Sequence, residues 1–101
     1  MAIKIKHGAI NFKTDVTLTP FEGEPEAAAV TYRFFPASKA REMAEGKSVQ
    51  QFLAEIIEDI NGLEDPYSPE VLAELLDWHP AMGVELMTGF WQVLAGARAK
   101  N

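Results

Sequence analysis

The stretch Ala29-Val30-Thr31-Tyr32-Arg33-Phe34-Phe35-Pro36-Ala37-Ser38-Lys39-Ala40 changes its period at Pro36, and that change decides the fold. Before the proline, Val30, Tyr32 and Phe34 alternate with Ala29, Thr31, Arg33 and Phe35. Alternation of β-branched and aromatic residues predicts a strand with one buried face. Working back, Val16 and Leu18 alternate with Asp15, Thr17 and Thr19, and Ile3 and Ile5 alternate with Ala2, Lys4 and Lys6. Pro20-Phe21-Glu22-Gly23-Glu24-Pro25 lies between two of these runs as a turn or loop, since Pro and Gly punctuate it. An antiparallel hairpin or small meander follows.

After Pro36 the period is helical. Ala37–Glu45 reads as a first helix that Gly46 stops. Ser48 with Gln51 is a capping-box pattern. Beyond it Val49, Phe52, Leu53, Ile56, Ile57 and Ile60 follow i, i+3, i+4, i+7, i+8, i+11, which predicts one helix from Val49 to Ile60, ended by Asn61-Gly62. Ser68-Pro69-Glu70 starts a third, with a capping hydroxyl, a proline at the first helical position and a carboxylate near the positive dipole end. Val71, Leu72, Leu75 and Leu76 supply its apolar face. His79-Pro80 interrupts, because proline disfavours helical geometry in the residue before it. A last helix is expected from Ala81 to Ala97. The expectation is thus one α+β domain over residues 1–101: a small antiparallel sheet within residues 1–35, then about four helices over residues 36–101.

Composition narrows the function. With 101 residues, 48% hydrophobic and 24% charged, the chain can build one core and does not read as disordered. It has no cysteine, which removes disulfides and thiol chemistry and fits a reducing compartment. The net charge of −6 disfavours a phosphate backbone as partner. Lys4, Lys6 and Lys13 bias one end mildly basic, Arg98 and Lys100 the other, and the acidic residues lie between, from Asp15 to Glu85. No polybasic arm results. No signal-peptide-like block follows Met1, and no apolar run approaches the ~20 residues of a membrane span. A soluble protein is expected, with neither nucleic acid nor membrane as partner.

Catalytic constellations are not visible. His7 and His79 are far apart and neither has metal-ligand spacing to a second ligand. Glu55, Glu58 and Asp59 read as the solvated face of their helix. Glu64 and Asp65 lack the EF-hand spacing and its closing Glu. Ser68 is explained as a cap, and the seven glycines are scattered singly. No catalytic residue, cofactor or metal is expected. The enzyme rival, a small hydrolase using His79 and a carboxylate, needs those groups to converge.

The last helix is more informative. At about 100° per residue, Met82, Val84, Leu86, Met87, Phe90, Trp91, Val93 and Leu94 cover an arc of about 200°. A surface helix needs only about 100° of apolar stripe. Either the domain wraps this helix on two sides, or one edge is a docking surface of aromatic anchors and adaptable methionine. The expected contact residues are Met87, Phe90, Trp91 and Leu94, with Trp78 as a peripheral anchor.

The run Ser68-Pro69-Glu70-Val71-Leu72-Ala73-Glu74-Leu75-Leu76-Asp77-Trp78-His79-Pro80, the aromatic-rich helix after it, and the ending Leu94-Ala95-Gly96-Ala97-Arg98-Ala99-Lys100-Asn101 resemble phage tail assembly chaperones. His79 stands where that family more often has an aromatic residue. The resemblance covers roughly Phe34 to Asn101. It implies a non-catalytic protein of the host cytoplasm, absent from the mature virion, that binds the tape measure protein and helps recruit tail tube subunits. The apolar arc of the last helix would serve self-association to a homo-oligomer as well as a partner's helix. The resemblance also implies a longer product made by ribosomal slippage, with which Ala99-Lys100-Asn101 is compatible if the codons form the run A AAA AAC. The rival within the structural class is a head–tail connector or neck protein retained in the particle.

Overall fold

The computed structural model describes residues 11–96. Strand β1 (Asn11–Leu18) runs antiparallel to β2 (Glu26–Arg33). The register sets Phe12 opposite Tyr32, Thr14 opposite Val30 and Val16 opposite Ala28, so the inward-facing residues of both strands share one face. Val30 and Tyr32 on that face are sealed from solvent, while Lys13, Asp15 and Thr17 face out. The alternation near Ile3 and Ile5 and the tail cations Arg98 and Lys100 lie outside the described residues, and the last helix stops at Leu94, short of the expected Ala97, with Ala95 as its C-cap and Gly96 at φ +107°.

Helix α1 (Ala37–Ala44) starts after Pro36 and gives way to Gly46 at φ +72°, a left-handed position that suits glycine. Helix α2 begins at Val49 under the expected capping box. The Ser48 hydroxyl accepts from the Gln51 amide at 3.2 Å, and the Gln51 side chain accepts from the Ser48 amide at 3.0 Å.

The expected helix Val49–Ile60 is corrected by the structure. Helix α2 is Val49–Ile56, and Ile57–Asn61 forms a third strand, β3, antiparallel to β2. Tyr32 pairs with Ile57 and Thr31 with Asp59, which leaves Glu58 as the extra residue of a bulge. The bulge turns two residues spaced by three, Ile57 and Ile60, onto the same buried face. In an unbroken strand they would point to opposite faces. A bulged strand therefore mimics the i, i+3 spacing of a helix, and the apolar pattern continues through the break.

Arg33 holds the helix-to-strand junction. Its Nη1 donates to the Glu55 carbonyl at 2.9 Å and to the Ile57 carbonyl at 3.4 Å, while Nη2 lies 2.6 Å from the Glu58 carboxylate. Carbonyls left over at the end of α2 thus find a donor. The sheet order is β1-β2-β3, and α4 (Pro80–Leu94) packs on β1 and on α2. Helix α3 (Pro69–Trp78) lies against α2 and α4. Ser68 caps it by accepting from the Val71 amide at 3.1 Å. The architecture is a small antiparallel three-stranded sheet followed by helices, as expected, with β3 inserted among them.

Candidate docking groove

The wide apolar arc of α4 divides into two sides. Met82, Leu86 and Phe90 turn inward and are buried. Phe90 meets Tyr32, Phe12 and Phe52 at ring-centroid separations of 5.6, 6.1 and 5.8 Å. Tyr32 anchors this side further, since its hydroxyl donates to the Leu86 carbonyl at 2.7 Å. Burial raises the ionisation of that hydroxyl beyond the ordinary tyrosine value of 10.0. The Tyr67 hydroxyl moves in the same direction, chiefly by burial.

The other side of α4 is a stripe: Val84, Met87, Thr88, Trp91 and Ala95 fall at i, i+3, i+4, i+7 and i+11. With Val49 from the start of α2 and Gln92 they line a shallow groove of about 460 Å³. Its walls are almost wholly apolar. Val84 is 67% exposed and Val49 45% exposed, whereas Met87 and Trp91 are half-buried. Trp91 lies parallel to Phe52 with planes 10° apart, so its inner side belongs to the core and its outer edge to the groove.

Of the expected contact residues, the structure brings Met87 and Trp91 to this groove. Phe90 is a correction: it is completely buried and has no surface to offer a partner. The 3.6-residue period shows how wide the apolar arc is but not which edge meets the sheet. Leu94 is half-buried against the core and does not line the groove. Trp78 is 71% exposed, yet it borders a separate cleft between α3 and the loop after β3. It does not extend the groove. Val84 and Val49 are the residues that sequence reasoning missed. Val84 was already inside the arc, and only the placement of α2 shows that Val49 joins it.

Glu85 of α4 holds the residue that follows β1. Its Oε1 accepts from the Thr19 amide at 2.8 Å and its Oε2 from the Thr19 hydroxyl at 2.6 Å. Six residues earlier, at the α3–α4 junction, His79 Nδ1 accepts from the Phe21 amide at 2.9 Å. That nitrogen is occupied as an acceptor, and no hydrogen bond joins the imidazole to a carboxylate among the described residues. Nor does any group of three or more His, Asp or Glu side chains there have an arrangement that could hold a metal ion. No described helix is long and apolar enough to cross a membrane. No protein-family model, curated protein or solved structure matches the chain.

Proposed function

We propose that the chain is a non-catalytic tail assembly chaperone of a long-tailed bacteriophage. It binds the tape measure protein in the host cytoplasm, helps to recruit tail tube subunits and is absent from the finished virion. The reading rests on the resemblance of the last two-thirds of the sequence to that family, and one structural observation supports it: the open apolar stripe Val84–Met87–Trp91 with Val49 beside it. The resemblance implies a long, coiled tape measure protein as partner. A stripe at helical spacing on α4, walled by the start of α2, suits the apolar face of an amphipathic helix.

The size of the groove also fits a transient partner. Each half-exposed side chain has about half its area left to bury, worth about 1 kcal/mol apiece at roughly 25 cal/mol per Å². Association costs of several kcal/mol offset much of that sum. The result is a contact that shields and then lets go.

Co-expression with the tape measure protein tests the reading. The wild type is expected to keep it soluble, and Val84→Asp to lose most of the effect while staying folded, because position 84 is exposed. Trp91→Ala is a poorer choice, since it also uncovers Phe52. Failure of the wild type to rescue solubility counts against the chaperone, and recovery of the chain from purified virions points to a neck protein.

A further inference from the structure

A second surface stands apart from the groove. Val71, Glu74, Leu75 and Trp78 recur at i, i+3, i+4 and i+7, one stripe of α3 on a different side from the buried Leu72. Across from them the loop after β3 brings Glu64 and Asp65, and the two sides enclose a cleft of about 230 Å³. Val71, Leu75 and Trp78 give the lining an apolar and aromatic part. Glu64, Asp65 and Glu74 add three carboxylates, and none of them is in an ion pair among the described residues, where the pairs are Arg33–Glu58, Lys39–Glu42 and Lys47–Glu55. His79 also lines the cleft, with its Nδ1 accepting from the Phe21 amide.

We propose that this cleft receives one arginine or lysine side chain of a partner polypeptide. The alkyl stem lies on Val71 and Leu75, the cationic head lies over the Trp78 indole, and Glu64, Asp65 and Glu74 surround it. Charge complementarity selects this occupant: a tryptophan face attracts a cation through its quadrupole, and unpaired carboxylates repel an anion. Size agrees, because small-molecule sites run from about 300 to 1,000 Å³ and this cleft lies below that range. A single side chain fills it. The inference does not depend on the tail-chaperone reading and uses different residues.

The test is a nuclear magnetic resonance titration of the full chain with the capped peptide acetyl-Ala-Leu-Arg-Leu-Ala-amide and with its citrulline counterpart, which keeps the side-chain shape without the charge. The Trp78 indole N–H reports on the cleft, and the Trp91 indole N–H on the α4 groove. The arginine peptide is expected to shift Trp78 and to bind about five- to ten-fold more tightly than the citrulline peptide. Glu74→Gln should weaken it about two- to five-fold and flatten its salt dependence. Trp78→Ala, followed through the backbone amides of Glu64 and Asp65, should reduce the preference for charge about two- to five-fold. All of these side chains are exposed, and an otherwise unchanged amide spectrum confirms that the variants fold. Equal binding of the two peptides, a response confined to Trp91, or indifference to Glu74→Gln overturns the proposal.

Discussion

The Trp91 indole lies parallel to the Phe52 ring, with centroids 5.8 Å apart and planes 10° apart, and so closes the aromatic core while edging the groove. This double role separates stability from docking along α4. Trp91→Ala is expected to cost about 2–4 kcal/mol in chemical denaturation, because it removes half-buried area and exposes Phe52. Val84→Ser, two turns away on the same stripe and 67% exposed, should stay within about 0.5–1 kcal/mol of wild type.

The two glycines of α4 predict opposite outcomes. A Cβ on Gly89 would stand 2.9 Å from the Tyr32 hydroxyl and 2.9 Å from Val16 Cγ2, so α4 can approach the sheet only with glycine there. Gly89→Ala should destabilise by about 1–3 kcal/mol through overpacking. A Cβ on Gly83 would meet Val49 Cγ1 at 3.4 Å and Leu76 Cδ2 at 3.6 Å, which is ordinary contact. Gly83→Ala should therefore be neutral or stabilising by up to about 1 kcal/mol, from helix propensity. Thermal melts of the two variants check the pair.

Alkaline pH should weaken the fold from a definite starting point. Burial raises the ionisation of Tyr32 and Tyr67 above 10.0 in the folded state, so the folded chain holds its phenolic protons longer than the unfolded chain does. Stability is complete below pH 10 and falls as pH rises beyond it, since the unfolded state then binds fewer protons. Tyr32→Phe should remove the larger part of that slope, at a cost near neutral pH of about 1 kcal/mol for the lost bond to the Leu86 carbonyl. Denaturation midpoints across the alkaline range measure both effects.

Arg33→Lys should destabilise by about 1–2 kcal/mol, because an ammonium cannot span the Glu55 and Ile57 carbonyls and the Glu58 carboxylate together. The ion pair itself is over two-fifths exposed at each side chain and contributes little of this. Amide hydrogen exchange should show the loss concentrated at the α2–β3 junction.

The neutral tautomer of His79 should carry its proton on Nε2, since Nδ1 accepts from the Phe21 amide. Nitrogen shifts of the imidazole read the tautomer directly. A protonated Nδ1 would mean that this contact does not hold the loop between β1 and β2.

Sequence patterns revealed the elements with local chemical punctuation. Ser48 with Gln51, Ser68-Pro69 and Gly46 mark helix ends because capping is satisfied within a few residues. The strand at Ile57–Asn61 was hidden because its bulge depends on pairing with β2, a long-range partner. Its spacing of isoleucines copies a helix. The groove was half legible: Met87 and Trp91 belong to an arc too wide for one interface, but the period treats Phe90 and Val84 alike. Which of them is buried depends on where β2 and α2 sit, and Val49 enters the groove only through that placement.

The most direct measurement is a spectrum of the methyl groups and indoles of this chain bound to a tape measure segment. Binding is expected to perturb Val49, Val84, Met87, Trp91 and Ala95 together and to leave the outer face of the sheet, at Ala29 and Thr31, unchanged. Perturbation of the sheet face with the α2–α4 groove silent would contradict the account.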